Sequence, residues 1–110
     1  MNHRLCLWLC LLCSGSALAQ PPTLERQSEI RNLLKHDCGS CHGLTLKGGL
    51  GPSLFAQDLV NKSDNYLIAT IQNGRKGTAM PPWKPFISEN ETRWLVQELR
   101  RKPAERTSNH

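Results

Sequence analysis

Five consecutive residues, Cys38-Gly39-Ser40-Cys41-His42, constrain what this chain can become more than any other part of it. A Cys-x-x-Cys pair serves three chemistries: a thioredoxin-like dithiol, half of a zinc site or, when His follows at once, attachment of a c-type haem. A redox dithiol belongs in a β-α-β setting, and no run of this sequence alternates cleanly with period two. A zinc site needs a second pair of ligands, which the mature sequence does not offer. The spacing therefore points to one covalently attached haem c. The thiols of Cys38 and Cys41 are placed to add to its two vinyl groups, and His42 to ligate its iron.

The rest of the chain supplies a reason for such a group. Residues 1–19 carry His3 and Arg4, an apolar run from Leu5 to Cys13 and a closing Ala17-Leu18-Ala19. This is the pattern of a secretory signal peptide, cut before Gln20. The run is too short to span a bilayer and no second one follows, so the mature chain is expected to have no membrane span. Bulky Leu12 before Cys13 argues against lipid attachment there. Cleavage removes Cys6, Cys10 and Cys13 and leaves 29 apolar residues among 91, about 32%. A chain that short and that polar struggles to offset conformational entropy by burial, and a large prosthetic group is one remedy. Export implies the periplasm in a Gram-negative cell.

The mature chain carries 13 basic and 9 acidic residues. No zinc-finger spacing, aromatic RNA-binding stretch or Lys/Arg-dense run accompanies that balance, so no nucleic-acid partner is expected. After a lead-in at 20–22, one domain is expected at 23–102, followed by a polar, flexible tail at 103–110. Thr23 caps a predicted helix over Leu24–His36 with Ile30, Leu33 and Leu34 on one stripe. Gly43 to Gln57 reads as a compact loop. A second helix starts at cap Ser63 and ends at Asn73-Gly74, and a last one starts with the capping box Ser88/Glu91 and ends before Pro103. The fold class is all-α.

Met80 is the single methionine left after processing, and it stands between Ala79 and Pro81 in a Pro-rich loop. A lone Met usually fills a gap in a core. This one lies outside any helical stripe, and the prolines restrict the backbone that presents it, which favours a sixth ligand to iron. His36 is too near Cys38 to reach the opposite face, and His110 is in the tail. With His42 and Met80 both bound the iron has no open position, so the chain is expected to be an electron carrier, not an enzyme.

These features together resemble the class I monohaem cytochromes c, over nearly all of Leu24 to Lys102. The runs His36-Asp37-Cys38-Gly39-Ser40-Cys41-His42-Gly43, Gly48-Gly49-Leu50-Gly51-Pro52 and Met80-Pro81-Pro82-Trp83-Lys84-Pro85-Phe86 are similar to those of the cytochromes c55X, or NirC proteins, of denitrifying bacteria. The resemblance implies a small helical fold around one haem, with the Pro52 carbonyl accepting a hydrogen bond from the second nitrogen of His42. It implies Trp94 packed against Ile30 and Leu34 where the class usually has a small residue and an aromatic. For Trp83 two roles stay open, an indole N–H donated to a haem propionate or a ring covering the haem edge. Cytochrome cd1 nitrite reductase is the implied electron acceptor. The alternative is an accessory role in haem d1 maturation or reductase assembly. Lys47, Arg75, Lys76 and Lys84 lie in the two loops expected to border the haem, and no acidic residue occurs from Asn65 to Ser88, which suits a redox partner with an acidic docking surface.

Overall fold

The computed structural model describes residues 19–101. The expected signal peptide up to residue 18, Lys102 and the expected tail at 103–110 lie outside the described residues. All regular structure among the described residues is helical: α1 at Leu24–Leu33, α2 at Gly39–His42, α3 at Asp64–Asn73 and α4 at Glu89–Arg100, with a single 3₁₀ turn at Ala56–Asp58.

Local chemistry sets the helix ends where the sequence puts them. Thr23 Oγ1 accepts from the Arg26 N–H at 3.2 Å, and Ser63 Oγ accepts from the Tyr66 N–H at 3.1 Å. At α4 the Ser88 hydroxyl accepts from the Glu91 N–H while the Glu91 carboxylate accepts from the Ser88 N–H, a complete capping box. The first helix runs further than expected. Instead of ending at His36, it passes through one π-helical turn, Leu34–Cys38, and continues as α2 to His42. Gly39 adopts helical angles, so no breaker stands in the motif until Gly43, whose φ of 88° ends the helix. The extra residue of the π turn rotates the following turn by about 100° relative to an unbroken α-helix, so the Cys-x-x-Cys-His segment faces differently from the core stripe.

That stripe is Ile30 and Leu34, buried with Leu67 and Ile68 of α3 and Leu95, Val96 and Leu99 of α4. Leu46, Leu59 and Ile87 complete the core from the loops. Trp94 is half-buried against the same cluster, to which Ile30 and Leu34 belong, with the Arg31 guanidinium 5.1 Å above its ring. Between α1 and α4 run two ion pairs, Arg26–Glu91 at 2.8 Å and Arg31–Glu98 at 3.2 Å. Glu98 is 4% exposed and also pairs with Arg101 at 2.8 Å, so its buried charge has two partners. These pairs bridge the crossing beside the bulky Ile30 and Leu34.

Candidate cofactor site

The segment after His42 folds back onto the end of α2 and satisfies its last carbonyls. The Gly51 N–H donates to Cys41 O at 2.8 Å and the Gly48 N–H to His42 O at 2.8 Å. So close an approach needs residues without side chains: a Cβ on Gly49 would stand 2.8 Å from Cys41 O, and one on Gly43 2.7 Å from Gly48 O. Leu46 takes a left-handed φ of 64°, and its buried side chain and the bonds from Leu46 N–H to Gly43 O and from Leu54 N–H to Leu46 O hold it there.

The same loop fixes the His42 ring. A carbonyl can only accept, so the 2.7 Å contact between His42 Nδ1 and Pro52 O places the ring proton on Nδ1 and leaves the Nε2 lone pair free. Gly51 lies close against the ring, where a Cβ would stand 2.8 Å from Cε1 and Nδ1. The imidazole is therefore oriented and in its ligating form, which is the state a haem iron requires.

Cys38 and Cys41 are both free thiols and half-buried. Burial, reinforced by the Asp37 carboxylate, pushes the Cys38 thiol up to about 11. A thiol raised in this way is protonated near pH 7, unlike the activated thiol of a redox dithiol. No group of three or more metal-ligating side chains occurs among the described residues, so a zinc cluster is not formed either. Two free thiols and an imidazole oriented by Pro52 O are residues that fit haem c.

Met80 belongs to a second unit. Met80 is itself half-buried in a mostly exposed loop, which leaves α3 at Gly74, whose φ is 67° and where a Cβ would stand 2.7 Å from Met80 O. The Arg75 N–H donates to Met80 O at 3.1 Å, and the Met80 N–H to Thr78 Oγ1 at 3.3 Å. Trp83 is half-buried against the core and stacks at a tilt on Phe86, ring centroids 5.7 Å apart, and its indole N–H makes no bond among the described residues. The structure thus brings Cys38, Cys41, His42 and Pro52 into one unit and Met80 and Trp83 into another, and no hydrogen bond or ion pair joins the two among the described residues. Gly51 against the His42 ring was missed by sequence reasoning, although the pair Gly51-Pro52 ten residues after His42 carried the signal. Gln72, which bonds to the far end of the Met80 loop, left none.

Comparison with known proteins places the chain among the c-type cytochromes. The family described as cytochrome c oxidase, cbb3-type, subunit III matches residues 25–97. Cytochrome c55X of Paracoccus denitrificans is 46% identical over 96 residues, 87% of this chain and 92% of that protein. Cytochrome c55X of Stutzerimonas stutzeri is 49% identical over 83 residues, 76% of this chain and 74% of that protein. A solved c-type cytochrome NirC superposes with a TM-score of 0.70 at 48% identity, covering 72% of this chain and 93% of its own.

Proposed function

This chain belongs to the cytochrome c55X family of c-type cytochromes, and we propose that it carries single electrons in the periplasm to cytochrome cd1 nitrite reductase in denitrification. Cys38 and Cys41 would hold one haem through thioethers and His42 and Met80 would ligate it, and when bound it supplies a one-electron Fe(II)/Fe(III) change. The observation that carries this reading is the His42 ring, held by Pro52 O in the tautomer that leaves Nε2 free.

Each protein group has a part in that change. The bond to Pro52 makes His42 a stronger donor and prevents the ring from turning between oxidation states. The Met80 thioether favours the reduced iron and raises the potential. Trp83 has an indole N–H available to a propionate. Residues 1–19 act as the export signal, removed before Gln20. The domain proper spans 23–102, between the lead-in at 20–22 and the tail at 103–110.

The surface suits brief encounters with an acidic partner. Lys47, Arg75, Lys76 and Lys84 are exposed, and none has a carboxylate partner among the described residues. In the same loops Leu50 is 92% and Phe86 64% exposed, so apolar contact is on offer among unpaired cations. The test is nitrite reduction by fully assembled cytochrome cd1 with the reduced protein as sole donor. Sustained turnover supports the carrier role. A reductase that ignores this donor, yet lacks haem d1 when made in cells without the protein, would replace it with the maturation role.

A further inference from the structure

The loop that presents Met80 leaves α3 at Gly74 and enters α4 at Ser88. Its returning limb is joined to the last turn of α3 by main-chain bonds, Trp83 N–H to Ile71 O at 3.0 Å and Lys84 N–H to Gln72 O at 3.3 Å. Three successive carbonyls then lead into α4, and each is taken by a side chain from a different helix. Arg26 of α1 donates to Phe86 O at 2.8 Å, Gln72 of α3 to Ile87 O at 3.0 Å, and Thr92 of α4 to Ser88 O at 2.8 Å. The Gln72 amide also donates to Thr92 Oγ1 at 2.5 Å, and Thr92 is fully buried.

We infer that Gln72 is a positioning residue for Met80. It is the one member of the three that sits on the helix from which the loop departs. Its main-chain carbonyl holds Lys84 and its side chain holds Ile87, so it ties both edges of the returning limb to the fixed end of α3. With Gly74 packed directly against Met80 O, the loop is clamped at its start and at its return. A glutamine that merely finished its helix would bond within that helix, whereas this amide reaches 15 residues along the chain to Ile87 and 20 to Thr92. Freeing the limb lets the loop swing outward and carry the thioether with it. The inference rests on the reading that Met80 is the sixth ligand.

Imidazole titration of the oxidised holoprotein measures that swing, because the added base binds only when the thioether has left, and loss of the sulfur-to-iron absorption reports it. The apparent affinity scales with the fraction of molecules in which the loop is open. Gln72→Ala removes the amide's neutral hydrogen bonds to Ile87 O and Thr92 Oγ1 and its longer one, at 3.4 Å, to Ser88 O, and is expected to tighten apparent imidazole binding about tenfold. Gln72→Glu keeps the size but turns the donor into an acceptor facing carbonyls, and is expected to do the same. It supplies the test should the alanine variant not assemble. Leu99→Ala, a core truncation at the far end of α4, is expected to lower the melting temperature yet bind imidazole within about twofold of wild type. Wild-type affinity in both Gln72 variants overturns the inference, as does a Leu99→Ala variant that tightens binding equally. A wild-type protein without the sulfur-to-iron band is a separate outcome, which overturns the ligation reading and this inference with it.

Discussion

Gly51→Ala tests whether the backbone that lies against the His42 ring is a built part of the site. The added Cβ would stand 2.8 Å from Cε1 and Nδ1, closer than such atoms approach in folded proteins. The ring cannot turn aside without breaking its 2.7 Å bond to Pro52 O, and in the loaded protein it is expected to be tied to iron as well. Overpacking of this kind costs about 1–3 kcal/mol, and losing the hydrogen bond costs about 1 kcal/mol more. Restricting the unfolded chain returns only about 0.4–1 kcal/mol. The net is a loss of about 1–4 kcal/mol, which for a domain of this size lowers the melting temperature by about 4–30 °C. Gly39→Ala has the opposite expectation. Its Cβ would meet nothing nearer than 3.5 Å and its angles are helical, so the variant should melt at or slightly above the wild type. Thermal melts of the three holoproteins, followed by circular dichroism, decide the matter. A Gly51→Ala protein that melts with the wild type, or a Gly39→Ala protein that falls as far, would refute the reasoning.

Replacing Cys38 or Cys41 with Ser should impair covalent haem attachment, read as haem lost from the chain on a denaturing gel, and the apo chain should show no cooperative melt because a mature sequence about 32% apolar relies on the cofactor. Arg26 holds the Glu91 carboxyl below the usual range through its hydrogen bonds, so their pairing stabilises the fold above the unfolded carboxylate value of about 4.3 and is lost as the pH falls through the lower, folded value. Melts of wild type and Arg26→Met should therefore differ at pH 6 and converge in acid, and a gap that is constant with pH would contradict the assignment. Electron transfer to the acceptor, followed by stopped flow, should slow as ionic strength rises toward about 0.15 M, where screening acts over about 8 Å, and Lys76→Glu and Lys84→Glu should each slow it at low salt. A rate indifferent to salt and to both reversals would leave the exposed apolar side chains as the docking surface.

Much of this molecule was legible because its helix ends are written in short-range chemistry. Thr23, Ser63, Ser88 with Glu91 and the Asn73-Gly74 stop each act within one turn, and all are where pattern reading puts them. The continuation through Leu34–His42 was not, since a π turn inserts a residue without any breaker to announce it. The Cys-x-x-Cys-His motif was legible for the same local reason. What surrounds it was less so: Arg26 reaches Glu91 and Phe86 across 60 or more residues, and Gln72 reaches Ile87 and Thr92, contacts that no periodicity encodes. Trp94 against Arg31 likewise depends on how two helices cross, a crossing that the pairs Arg26–Glu91 and Arg31–Glu98 bridge.

The central claim is that one iron is shared by His42 and Met80, and the absorption of the oxidised protein tests it most directly. The wild type is expected to show the sulfur-to-iron charge-transfer band, and Met80→Ala to lack it, with a lowered reduction potential and a sixth position that takes up added ligands. A wild-type protein without the band, or a Met80→Ala variant that keeps the wild-type spectrum and potential, would contradict the account and leave Met80 a packing residue.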